Sequence, residues 1–208
     1  MKNYAEKLLY SRKGMRNLPA LLEEYAPGEG AARYQKVLSH LTKLLEEFGQ
    51  DSKGMRMHTH QRILPMIALY TGLCEVTEKE KALAMAEEIY LADAYRPAKI
   101  LRGILKIPGF YKKVPNFFTA MTKKSFGEAY GFRAKYHQSD NKGMVFDMLR
   151  CPYFDICKRH GCPELTRAFC RADDIMYQNM HPKLRWARTT TIGQGAKLCD
   201  FRIYVRNE

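Results

Sequence analysis

The hydrophobic pattern of this chain changes period at Gly127, and that switch limits the folds open to it more than any other feature. Before it, apolar residues recur every three or four positions. Tyr34, Val37, Leu38, Leu41, Leu44, Leu45 and Phe48 mark one face of a helix over 33–49, with Gly49 as its expected C-cap. Thr77 and Glu80 stand at capping-box spacing and predict a helix over 78–93. Pro97 and Pro115 suit the first turns of two more, over 97–106 and 115–124, separated by Pro108-Gly109. Residues 1–124 therefore read as helical.

After Gly127 the period is two. Phe132, Ala134 and Tyr136 alternate with basic residues, and Met144, Phe146 and Met148 alternate with Val145, Asp147 and Leu149, so a hairpin turning through 139–143 is expected. A second pair of strands, over 184–192 and 198–206, turns at Gly193-Gln194-Gly195. Between the pairs a helix opens at Pro163 and ends near His181-Pro182. The expected fold class is α+β: a helical N-terminal half followed by an antiparallel sheet, in the order strand-strand-helix-strand-strand, backed by helices. At 208 residues the chain is long enough for one good core and short for two, so a single domain over 1–208 is expected, with 1–124 its helical part and 125–208 its α+β part.

Composition removes several classes. The longest uncharged stretch, 63–74, is broken by Pro65 and Gly72 and is too short to span a bilayer. The first residues lack the apolar core of a secretory signal, so the expected compartment is the cytoplasm. There, six cysteines read as reduced thiols, metal ligands or catalytic groups. Five of them, Cys151, Cys157, Cys162, Cys170 and Cys199, fall after residue 150. The net charge of +13 is uneven, with +4 over 1–108 and +9 over 109–208, which favours anionic partners. No RNA-recognition, helix-turn-helix or finger pattern accompanies that charge, so no nucleic acid is expected. Glycine motifs for nucleotides are missing too.

Two segments carry the chemistry. On the 163–180 helix, Cys170, Asp173, Asp174 and Tyr177 fall at i, i+3, i+4 and i+7, so a thiol, two carboxylates and a phenol project together. The bland alternative is a small buried thiol beside a solvated acidic face. On the last strand Cys199 points with the core set and Asp200 points the other way. Cys199 there is either packing or chemistry, and Asp200 either a turn acceptor or a functional acid. Cys151, Cys157, His160, Cys162 and Cys170 lack the close thiol spacing of a zinc knuckle, so no metal is assigned. His58-Thr59-His60 has no further ligand nearby and reads as surface or loop.

In order along the chain come Cys151-Pro152-Tyr153, then 161–165 (Gly-Cys-Pro-Glu-Leu), then Phe169-Cys170 with Asp173. After these stand 188–195 (Arg-Thr-Thr-Thr-Ile-Gly-Gln-Gly) and Cys199-Asp200-Phe201-Arg202. This series resembles the L-2-amino-thiazoline-4-carboxylic acid hydrolase family over about 145–204, and the final strand is distantly similar to small-molecule-binding vinyl-reductase-type domains. The resemblance implies a hydrolase that opens a small cyclic carboxylated substrate: water adds at the carbon between ring nitrogen and sulfur, the sulfur leaves, and an N-carbamoyl cysteine results. It implies Cys170, Asp173, Cys199 and Asp200 as catalytic candidates and Arg188, Thr189, Thr191, Tyr177 and Cys151 as substrate contacts. Arg188 is preferred over Arg185 for the substrate carboxylate, because a guanidinium can hold it bidentately and Arg188 stands inside the matched run. No cofactor and no membrane are expected. The oligomeric state is left open, a homodimer included. A nucleophilic Cys170 is narrowly preferred to Asp173 acting as general base on water. The alternative from another class is a non-catalytic sensor that holds a small molecule or metal in the same pocket.

Overall fold

Residues 1–206 are described in the computed structural model. Their contacts gather into two compact units, 1–93 with 156–168, and 94–155 with 169–208.

In the first unit the 3–4 spacing of apolar residues becomes α1 (Lys2–Ser11), α2 (Leu18–Tyr25) and α3 (Gly30–Glu47), followed by α4 (Lys53–His58), α5 (Leu64–Cys74) and α6 (Lys79–Leu91). The apolar face of α3 packs on α5, which is buried on nearly every side and so carries no polar face to solvent. Helix α3 ends at Glu47 with Phe48 as its cap, and Gly49 lies one residue beyond. The capping box at Thr77 does not form: α6 starts at Lys79, and the Thr77 amide instead closes α5 by bonding to the Leu73 carbonyl at 3.0 Å.

The segment read as surface around His58 is a correction. His58 and His60 are 0% and 2% exposed, in α4 and in the π-helical turn Thr59–Ile63 that joins it to α5. Pro65 explains the wide turn, since it has no N–H to give the Gln61 carbonyl and its ring crowds that turn. The Gln61 carbonyl accepts from the Arg12 guanidinium instead, and His60 Nε2 reaches the Phe48 carbonyl at 3.1 Å.

The second unit holds α7 (Tyr95–Ile104), α8 (Val114–Ser125) and a four-stranded antiparallel sheet. Its strands are β1 (Arg133–Ser139), β2 (Gly143–Arg150), β3 (Leu184–Ala187) and β4 (Cys199–Val205), in the spatial order β1-β2-β4-β3. The α+β class read from the sequence is the class observed. Period two sets the register: Tyr136 faces Phe146 and Phe146 faces Phe201, and their rings stack at 5.1 and 4.8 Å. The hairpin between β1 and β2 is closed by Asp140, whose Oδ1 accepts from the amides of Lys142 and Gly143.

Two local expectations are corrected. A helix, α9 (Pro152–Arg159), follows β2 directly, so two helices rather than one separate the strand pairs; residues 152–155 belong to the second unit and the remainder to the first. The second helix, α10 (Thr166–Tyr177), follows a short 3₁₀ turn at Pro163–Leu165. Strand β3 also stops at Ala187 instead of running to 192, because the amides of Thr189 and Thr190 bond to the Asp200 side chain rather than to a neighbouring strand.

Candidate functional site

Three elements of the second unit contribute thiols. Cys151 stands between β2 and α9, where its sulfur accepts from the backbone N–H groups of Phe154 and Tyr153. Cys170 lies on α10, and Cys199 begins β4, where its sulfur accepts from the Ile192 amide at 3.2 Å. The three are close enough to feel one another's charge, and each also feels Asp173.

Burial pushes the Cys151 thiol up to about 12 against the two amides that oppose it. Burial and the charge of Asp173 push Cys170 up to about 12 as well, more than Arg188 can counter, and Cys199 is raised mainly by burial. All three are held as neutral thiols near neutral pH.

Arg188 organises the acids. Its side chain is only 4% exposed; Nη1 donates to Asp173 at 3.1 Å, and Nη2 donates to Asp174 at 2.8 Å and to the Cys170 carbonyl at 2.9 Å. The guanidinium lies 5.8 Å from the Trp186 ring and 5.4 Å from that of Phe201, which shield it from water. Burial works against its charge, and Asp173 and Asp174 more than offset that cost. Trp186 Nε1 adds a 3.3 Å bond to Asp174. Asp173 itself is 41% exposed and so can meet a ligand while Arg188 holds it.

Six of the residues singled out in the sequence are thus brought together: Cys151, Cys170, Asp173, Asp174, Arg188 and Cys199. Tyr177 belongs to the aromatic layer beside them, 5.0 Å from Trp186 and 5.3 Å from Phe118. Asp200 does not join them. It projects from the opposite face of β4, where its carboxylate takes the amides and hydroxyls of Thr189 and Thr190. Burial raises its pKa, but those bonds outweigh burial and bring it down to about 2. Thr189 is therefore an Asp200 partner, while Thr191 is buried and bonds to Gln194 at 2.9 Å.

Sequence reading placed Asp174 on the Cys170 face without pairing it with Arg188, and it missed Trp186 altogether. Position i+4 from Cys170 flagged the first, and the lone tryptophan flanking the matched run was the available sign of the second. A groove of about 500 Å³ in the first unit, lined by Lys7, Arg12 and Arg62 among others, holds none of the matched residues. Among the described residues no group of three or more His, Cys, Asp or Glu is placed to hold a metal ion, and no helix is long and apolar enough to cross a membrane.

The family model described as L-2-amino-thiazoline-4-carboxylic acid hydrolase matches residues 56–203. The chain belongs to that family. The match takes in every member of the thiol–carboxylate cluster and reaches back through α6 and α5 into the end of α4, so the aminothiazoline-carboxylate hydrolase family extends well beyond the C-terminal motifs. No curated protein matches the chain. A solved structure does: the NMR structure of an H-NOX domain from Shewanella oneidensis in the Fe(II)CO ligation state, at 14% identity over 99% of this chain and 97% of that one, with a TM-score of 0.25. At that score neither fold nor ligand follows from the likeness.

Proposed function

We propose that the protein hydrolyses the ring of L-2-amino-thiazoline-4-carboxylate or a close cyclic relative, with Asp173 as general base and Arg188 as the residue that positions it. Family membership supports the reaction class. The observation that carries the assignment of roles is the Arg188 fork: a shielded guanidinium fixes Asp173 while leaving that carboxylate partly open.

In this reading Asp173 accepts a proton from water as the water oxygen bonds to the carbon between ring nitrogen and sulfur. The bond from that carbon to sulfur then breaks, and Asp173 returns the proton to the departing sulfur. The proton left on the added oxygen passes to the ring nitrogen, so the product carries a free thiol and a carbamoyl nitrogen. Cys170 and Cys151, held as neutral thiols, shape the wall beside the ring. A thiol at about 12 is almost wholly protonated at pH 7, which weighs against the nucleophilic Cys170 preferred from the sequence. With both arms of Arg188 on aspartates, its part is to orient the base rather than to grip the substrate.

Replacement of single groups separates the routes. Asp173→Asn is expected to lower turnover by about 10²-fold or more, the scale of a lost general base, while Cys170→Ala keeps most of it. Equal loss in Cys170→Ala and Cys170→Ser, with Asp173→Asn active, would instead establish the covalent route.

A further inference from the structure

The remaining chemistry-bearing cluster lies in the first unit, at the end of α9, and plays no part in the proposed reaction. The helix stops in a chain reversal in which the Cys162 amide donates to the Cys157 carbonyl at 2.9 Å and the Gly161 amide donates to the Lys158 carbonyl at 3.1 Å. Gly161 makes this reversal possible by taking φ +73°, a conformation that side chains resist. Such a reversal brings the side chains at its two ends together, the usual occupants being an apolar pair. Here both are cysteines.

A hydrogen bond of that length between the two backbones limits the α-carbons to about 7 Å apart, the outer reach of a disulfide. The Cys162 thiol donates to the Cys157 carbonyl at 3.4 Å, and the two thiols lie within hydrogen-bonding reach of each other. The neighbouring Cys157 thiol lowers the Cys162 pKa against burial and the nearby Glu164, with Lys79 assisting. The Cys157–Cys162 pair is thus eased toward one thiolate, whereas Cys151, Cys170 and Cys199 all shift the other way. Both side chains are buried, Cys157 0% and Cys162 3% exposed, so only an oxidant as small as a peroxide can serve as the reagent.

We propose that Cys157 and Cys162 are a modification site: a dithiol that a small peroxide converts reversibly to a disulfide. The Cys162 thiolate attacks one peroxide oxygen, the O–O bond breaks, and a sulfenic acid forms while hydroxide or alkoxide leaves. The Cys157 sulfur then attacks the Cys162 sulfur, its proton leaves with the hydroxyl as water, and the S–S bond closes. With hydrogen peroxide the sum is two thiols and one peroxide giving one disulfide and two waters. The bond would staple the segment that leads into Glu164, whose carboxylate accepts from Tyr70 at 2.7 Å and pairs with Lys79 at 2.9 Å. The free thiols of the structure are the reduced state of this pair.

Peptide mapping of the full-length protein after brief exposure to stoichiometric hydrogen peroxide tests this. The expected product is about 2 Da lighter and gives a tryptic peptide joining 151–158 to 160–167; dithiothreitol reverses it, Cys151→Ser retains it and Cys162→Ser lacks it. A cross-link to another cysteine, sulfinic acid at Cys162 without a cross-link, or an unmodified pair would each overturn the proposal. None of these readouts depends on hydrolytic activity, so the assignment of the reaction stands or falls separately.

Discussion

Arg188 Nη1 lies 3.1 Å from Asp173 Oδ2, and the same guanidinium spans to Asp174 at 2.8 Å. One cation thereby fixes two neighbouring carboxylates that would otherwise repel, and it does so from behind aromatic rings, out of water.

A lysine cannot form that fork. Arg188→Lys is expected to lower kcat by about 10²-fold with little change in KM, since a misplaced base is costly while substrate contacts persist. The acid limb of its pH–rate profile should move to higher pH, because the base is less well paired with positive charge. Steady-state kinetics across pH decides it. A raised KM at unchanged kcat would mean that Arg188 grips the substrate carboxylate after all.

Asp200 anchors the loop after β3 through amides and hydroxyls of Thr189 and Thr190. Asp200→Ala should cost roughly 1–3 kcal/mol of stability, measured by urea denaturation at pH 7. Its folded pKa, about 2, lies below the ordinary carboxylate value, so this contribution is full above about pH 4 and fades as pH falls toward 2. The variant should therefore show a shallower loss of stability in acid; a wild-type acid profile would contradict the anchor.

The buried thiols make the opposite prediction at high pH. Cys151 and Cys170 hold their protons to about 12 in the fold, whereas an unfolded thiol releases its proton near roughly 8.5. Their contribution to stability is complete below that lower value and is lost as pH rises toward 12. Denaturation midpoints should fall between pH 7 and 10, and Cys170→Ala should fall less steeply.

Exposure, rather than thiol acidity, should govern native alkylation. Cys74 is exposed while Cys157, Cys162 and Cys199 are buried, so iodoacetamide is expected to label Cys74 first. Mass mapping of a short time course checks this, and earlier labelling of Cys199 would contradict it.

The parts of this fold that were legible in the sequence are those set by local periodicity. The 3–4 face of α3 and the alternation through Tyr136, Phe146 and Phe201 could be read because burial on one side repeats at a fixed step. The Cys170–Asp173 face of α10 was legible for the same reason. Helix α9 was passed over although Pro152 opens it, Lys158 and Arg159 close it and Gly161 follows, because its eight residues are too few for a period to declare itself. The end of β3 could not be read at all: it depends on Asp200 drawing in amides ten and eleven residues away, which no periodicity records. The buried His58 and His60 looked polar in sequence, and only the packing of α4 and the following π turn took them out of water.

The central claim is that Asp173, held by Arg188, activates water for ring opening. Its most direct test is the rate at which purified protein releases free thiol from L-2-amino-thiazoline-4-carboxylate, compared with Asp173→Asn of confirmed native fold. The account predicts steady thiol release by the wild type and a rate lower by about 10²-fold or more in the variant. No release by the wild type, or the same rate from both proteins, would contradict it.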